Sequence, residues 1–299
     1  MDNDRITLTR QRLWLPLILA AIALVALPGL TNARALTIGS LSDTPDAEIA
    51  LFLPLATYLS MGLKEFDIDK GKVRITRTHE QMANLMKQGK VDLFIDSSVS
   101  ALKMNRLGAG DFFLRRWKKG IAEYHSVIFT TANSPLKQIS DLAGHTIGFE
   151  EPFSSSGYLL PASEIRNHHL ILTKDQVVTD DKSIDSRFTG ADENTLMWVL
   201  HGRLDAGAMA GNKLKKLAGP LISELKIIHT SSTIPYHVML TRPDLENHLQ
   251  AAIKDLLTTM HSTVVGKRVL NDFERTSRFD EIPVQAITEL STINFGSDQ

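Results

Sequence analysis

The sequence predicts an α/β protein of two lobes that face each other across a cleft. Three observations predict it. From residue 36 onward, short β-rich runs alternate with longer helical patterns, the pattern of parallel sheets with crossover helices. The alternation occurs as two separate series. Long extended runs near 125–132 and 228–240 then offer two passages from one series to the other, as paired strands.

In the first series, "LTIGSLS" (36–42) reads as a strand, and residues 47–66 space their apolar side chains as a helix does. "KVRITRT" (72–78) alternates apolar and polar residues like a half-buried strand, and a helix follows to Lys87. "VDLFI" (91–95) is a compact strand with the polar loop "DSSVS" behind it. "EYHSVIFTTA" (123–132) reads as one long strand, followed by turn and short-helix signals. The second series holds "HTIGFE", a helix after three serines, "QVVT", a helix over 193–201, "DAGAMA", another helix and "LKIIHTSS". The chain closes with the strand "HVMLT" (237–241) and helices over 245–261, 264–273 and 284–290. Lobe 1 is thus expected to comprise 36–130 and 236–299, with lobe 2 inserted as 131–235. There is no internal repeat and no low-complexity linker.

The first 35 residues read as an export signal. Arg5, Arg10 and Arg12 form a basic start, Leu17 to Leu27 is uninterrupted apolar sequence, and Ala33-Arg34-Ala35 offers an A-x-A cleavage site. Eleven helical residues reach about 16 Å, roughly half a bilayer core. The expectation is therefore cleavage after Ala35 and a periplasmic location. The alternative is a retained anchor using the uncharged stretch from Leu13 to Leu30. The chain has no cysteine, hence no disulfide and no lipidated N-terminus. The leader holds four Lys/Arg and two Asp/Glu, which leaves the remainder near −3 and gives no footprint for nucleic acid. Hydrophobic and charged contents of 43% and 22% are ordinary for a globular chain.

The stretch "FEEPFSSSGYLLP" (149–161) follows a strand and opens a helix. A helix N-terminus exposes unpaired N–H groups and partial positive charge, and serine is a favoured cap. One serine suffices for capping. Ser154, Ser155 and Ser156 together with Gly157 add hydroxyl donors and backbone access suited to a tetrahedral oxyanion. Pro161 removes a helical bond, so the first turn is expected to be irregular or the helix to start later. Spacing alone leaves anion binding and simple capping both open.

"DLAGHTIGFEEPFSSSGYLLP" resembles the signature of the periplasmic phosphate/phosphite/phosphonate-binding proteins of ABC importers, a D-L-x-G-K-x-x-x-F-x-D-P-x-S-T-S-G-Y-L-x-P segment. His145 stands for the usual Lys, Glu151 for Asp and Ser155 for Thr. "FLPLATYLS", "GKVDLFI" and "EYHSVIFT" extend the likeness through most of the chain. The resemblance implies a type II periplasmic-binding-protein fold that closes on its ligand by a hinge. It implies that Ser154, Ser155 and Ser156 grip an oxyanion, that Tyr124 donates to the same group, and that Ser97 and Ser98 face the cleft from the first lobe. Three positions depart. Asp192 falls where the family often has an anion-holding histidine, and would repel an anion unless protonated or turned away. Asn212 and His237 stand where aminophosphonate binders keep acids for the ligand's amine, which argues against an aminoalkylphosphonate.

The function implied is capture of a small phosphonate-, phosphite- or phosphate-like oxyanion and its delivery to an ABC permease, by a monomer without cofactor or metal. Four or five charge-assisted hydrogen bonds of about 1.5–3 kcal/mol each are compatible with a micromolar Kd. The alternative output is signalling to a membrane sensor kinase. An exported enzyme has no catalytic set to support it: Ser100/Lys103 and Ser223/Lys226 fit S-x-x-K without K-T-G or S-D-N, and Phe153 replaces the first glycine of a nucleophile elbow. His168-His169 lacks metal-ligand partners and ends an exposed helix. Arg115, Arg116, Lys118 and Lys119 around Trp117 read as a solvated basic face.

Overall fold

The computed structural model describes residues 34–174 and 182–296. The first series runs β1 (Arg34–Leu41), α1 (Pro45–Gly62), β2 (Ile68–Thr76), α2 (His79–Lys87), β3 (Leu93–Ser97), α3 (Ser98–Arg106) and β4 (Asp111–Arg116). The second runs β5 (Glu123–Tyr124), β6 (Ser126–Thr131), β7 (Thr146–Phe149), α4 (Leu160–Asn167), β8 (Ile171–Lys174), β9 (Ser183–Phe188), α5 (Asp192–Leu200), β10 (Ala206–Ala210), α6 (Gly211–Ala218) and β11 (Leu225–Thr230). The return is β12 (Ile234–Pro235), β13 (His237–Thr241), α7 (Asn247–Thr259), α8 (Val264–Asp272), β14 (Phe279–Glu281) and α9 (Val284–Ser291).

Two six-stranded sheets result, in the orders β14-β4-β13-β3-β1-β2 and β11-β6-β10-β7-β9-β8. In the first, β1 runs parallel to β2 and β3, while β13 closes antiparallel on β3 and β4. In the second, β7 runs parallel to β9 and β10, and β6 lies antiparallel between β10 and β11. Each sheet is covered on both faces. Leu36, Ile38, Leu55 and Ile253 fill one side of the first and Met82, Phe94 and Met104 the other; Ile147 with Ile165 and Phe129 with Leu196 do so in the second. Such double burial explains why these strands read as short continuous apolar runs.

The two sheets are joined where β5 pairs antiparallel with β12, Tyr124 opposite Ile234 and Glu123 opposite Pro235. The run 123–132 is therefore two strands, broken at His125: the first in the hinge, the second inside the lobe-2 sheet. The lobe boundary drawn at Thr130 moves back accordingly, to the two residues before Ser126. A small core of Val99, Leu102, Tyr124, Leu160, Ile234 and Leu290 packs across the junction. The segment after α9 straps the lobes together. Arg106 of α3 donates to the carbonyls of Ser291 and Ile293, while Asn294 engages Ser163 and Arg166 beside it on α4.

Two further expectations are corrected. "DSSVS" is the end of β3 and the first turn of α3, because Ser97 accepts the Ser100 N–H at 3.2 Å as a helix cap. Arg115 and Arg116 are buried, since "DFFLRR" is strand β4 between β13 and β14. Arg115 forms a two-pronged pair with Asp280, at 2.9 and 2.8 Å, and Arg116 lies 3.6 Å over the Phe273 ring. In the full-length chain β1 begins at Arg34, which pairs with Asp92 at 2.6 Å. The strand expected at "QVVT" and the leader before Arg34 lie outside the described residues.

Candidate functional site

The parallel strands of the first sheet end at the junction, and the helices that follow begin there, the position where α/β sheets bind ligands. β3 ends in Asp96-Ser97. The Asp96 carboxylate accepts the backbone N–H groups of Ser97 at 2.6 Å and Leu41 at 3.4 Å, tying the ends of β3 and β1. Ser98, the first residue of α3, is wholly buried and its hydroxyl has no partner.

The serine run divides by role. Ser154 is the cap: its hydroxyl accepts the Gly157 N–H at 3.0 Å and donates to Glu150 Oε2 at 2.6 Å. Residues 155–159 form a wide π-type turn, and the regular helix starts only at Leu160, so Pro161 sits in its first turn, where no helical donor is needed. Gly157 serves packing: a Cβ there would lie 2.8 Å from Glu150 Cβ and 2.8 Å from Ser154 Oγ. Ser156 presents its carbonyl to Ser126 Oγ at 2.7 Å, inside the second lobe. Ser155 points across the junction and donates to Ser97 Oγ at 3.3 Å. Tyr124 stands in the hinge beside them, 7% exposed, edge-on to Tyr236 at 5.3 Å. Its hydroxyl lies near Ser155 and Ser98 but bonds to neither with good geometry, and burial raises its pKa, so it remains a donor.

Ser97, Ser98, Ser155 and Tyr124 thus form one cluster of hydroxyls contributed by both lobes and the hinge. Two of the four are buried and unpartnered, and unsatisfied buried hydroxyls are costly unless a ligand completes them. Ser97 and Ser155 open onto a cleft of about 650 Å³. Its walls also carry Asp96, His79, Ser100 and Lys103, with Phe153 and Phe295 at its rim. His79 Nε2 lies 2.9 Å from Ser100 Oγ, and burial together with Lys103 holds its pKa down to about 4, so the ring is neutral at pH 7. Burial lifts the Asp96 carboxyl to about 6, against the two N–H groups it accepts.

The other candidates do not line the cleft. Asp192 opens α5, 2% exposed, with one carboxylate oxygen on Lys213 Nζ and the other buried and unpartnered. Lys213 also reaches Glu150 at 3.8 Å. The expected repulsion of an anion by Asp192 is therefore countered within its own lobe by a lysine. Asn212 is exposed in the first turn of α6. His237 opens β13 opposite Ser97, with its ring edge-on to Tyr236 at 4.9 Å. Burial, then Lys118 and Arg116, depress its pKa well below the usual value, so it is neutral.

Sequence reasoning missed Asp96, His79, Ser100 and Lys103 as cleft residues. A signal existed for α2, whose start "THEQ" places a capping threonine, Thr78, three residues before Gln81; Thr78 Oγ1 accepts the Gln81 N–H at 3.3 Å. No helix among the described residues is long and apolar enough to cross a membrane.

Comparison with known proteins agrees with this architecture. A Xanthomonas citri protein solved with bound chloride superposes with a TM-score of 0.73 at 22% identity, over 87% of this chain and 95% of that one. A Prochlorococcus marinus protein in complex with methylphosphonate gives 0.54 at 18% identity, over 87% and 97%. The phosphonates-binding periplasmic protein of Escherichia coli is 24% identical over 215 residues, 68% of this chain and 61% of that protein, so the match spans under two thirds of the relative. The family model described as ABC transporter, phosphonate, periplasmic substrate-binding protein matches residues 38–285. That match takes in the hinge strands and most of both lobes, and the chain belongs to the phosphonate periplasmic substrate-binding proteins of ABC transporters.

Proposed function

We propose that this protein captures a small phosphorus oxyanion, phosphonate-, phosphite- or phosphate-like, in the cleft between its lobes and presents it to an ABC permease. The observation that carries this reading is the hydroxyl cluster itself. Tyr124 Oη and Ser98 Oγ are buried without partners beside the Ser97–Ser155 contact, so donors from both lobes and the hinge are left for a ligand to complete. The first turn of α3 and the turn after Ser154 add partial positive charge at the same place. Such a ligand bridges the lobes, so its binding and their closure are one event. Ser154 and Ser156 support Ser155 from behind, while Asp192 is countered by Lys213 and His237 is neutral.

A thermal-shift screen of the purified protein tests this, with phosphate, phosphite, methylphosphonate, aminoethylphosphonate, sulfate and several carboxylates. A ligand that binds the native state alone raises the midpoint in proportion to the logarithm of its concentration. A shift from a phosphorus oxyanion at micromolar to millimolar concentration is expected. A shift from a carboxylate with none from any phosphorus anion would overturn the reading.

A further inference from the structure

The cleft is larger than a single tetrahedral anion needs. Such an ion has about five heavy atoms, and at about 30 Å³ for each water-sized centre it fills roughly 150 Å³. The cleft holds about 650 Å³. Its remaining volume runs from Ser97 away from the hinge, along the starts of α2 and α3. Thr78, His79 and Glu80 of one helix and Ser97 and Ser100 of the other line it, so two helix N-termini meet there. The His79–Ser100 contact holds them together.

Lys103 projects into this second compartment from the next turn of α3. It is half-buried and forms no ion pair among the described residues. Arg77, at the mouth, has only a 4.0 Å contact with Asp43, and both are exposed. The acidic groups on the same walls are Asp43 and Glu80, both exposed, and Asp96, whose two oxygens already accept backbone N–H groups. Lys103 attracts Glu80 from a distance, yet no carboxylate among the described residues forms an ion pair with this half-buried cation.

We propose that the ligand is an organophosphorus anion carrying a second anionic group, its first group at Ser97, Ser98, Ser155 and Tyr124 and its second at Lys103 and the start of α2. A phosphonocarboxylate or a diphosphonate has this chemistry. Phe153 and Phe295 flank the carbon skeleton between the two groups. The inference rests on the function proposed above and adds its substrate class.

Titration calorimetry on the protein purified from the periplasm of expressing cells tests it, with propylphosphonate, 3-phosphonopropionate and methylenediphosphonate. At least one of the two doubly charged compounds is expected to bind about tenfold or more tighter than propylphosphonate, the increment of one added charge-assisted contact. Lys103→Gln is expected to collapse that ratio, and Lys103→Arg to restore most of it. Equal affinities for all three compounds would overturn the second subsite while leaving the single-anion reading in place, as would a ratio that survives Lys103→Gln. Absence of binding by any of them would overturn both readings.

Discussion

Ser155 of the second lobe donates to Ser97 of the first at 3.3 Å, and this contact closes the cleft over two hydroxyls that have no partner of their own. The bond is long for two hydroxyls, which prefer about 2.7–2.8 Å. An oxyanion that accepts from both serines replaces it with two charge-assisted bonds. On the proposed function, the cluster that takes the ligand also decides how firmly the lobes close on it.

Tyr124→Phe is expected to weaken phosphonate binding about 10- to 100-fold, the value of a hydrogen bond to a charged acceptor. The melting temperature of the ligand-free protein should stay level or rise. The hydroxyl removed is buried and unpaired, so its loss relieves a desolvation cost. A marked fall in the empty protein's melting temperature would show that the hydroxyl has a structural partner.

Ser154→Ala should behave in the opposite way from Ser155→Ala. Ser154 caps the turn and binds Glu150, so its loss is expected to cost about 1–2 kcal/mol of stability. Ser155→Ala should leave urea unfolding close to wild type and reduce affinity instead. Paired denaturation and calorimetry distinguish the two. Equal behaviour of the two variants would dissolve the division of roles.

The Asp96 carboxyl gives binding a pH dependence. Its pKa in the fold is about 6 against an ordinary 3.8, through burial, with Glu48 adding to the rise and the Ser97 and Leu41 N–H groups and Lys118 opposing it. Between about pH 4 and 6 the folded state holds more of this proton than the unfolded chain, so this group's contribution to stability declines as pH rises through that window. A bound anion nearby favours the protonated form further. Affinity should therefore increase as pH falls from 7.5 to 5.5, more steeply in the wild type than in Asp96→Asn. Using one ligand for both proteins removes the ligand's own titration from the comparison; parallel curves would exclude Asp96.

Arg116→Met tests the buried arginine of β4. Arg116 is 1% exposed, stacks on Phe273, and donates to Thr276 Oγ1, the Phe273 carbonyl and Glu274. Removing the guanidinium loses its stacking on Phe273 and three hydrogen bonds, but the Phe273 carbonyl keeps the Thr276 N–H and hydroxyl and Glu274 keeps Lys118, so the expected cost is about 1–3 kcal/mol. The urea midpoint should fall with an unchanged slope, and ligand affinity measured well below the midpoint should hold. A small effect would mean that solvent enters the Thr276 loop.

Much of this protein was legible in its sequence because the relevant physics is local. Strand and helix runs follow from apolar spacing, as in "VDLFI" and residues 47–66, and the irregular start at Pro161 follows from a missing N–H. "SSSG" at a helix start marked the candidate site. Which serine caps, which supports and which crosses the junction was not legible, since three identical hydroxyls are distinguished only by what the folded backbone brings beside each. Glu150 claims Ser154, and Ser97 meets Ser155, across 58 residues of chain. The same holds for charge. Arg116 reads as solvated until β13 and β14 flank its strand, and Asp192 reads as repulsive until Lys213 of α6 arrives beside it. Local pattern set the elements and the place of the site; long-range packing decided burial and pairing, because the energy of a charge or hydroxyl depends on neighbours that the linear order does not name.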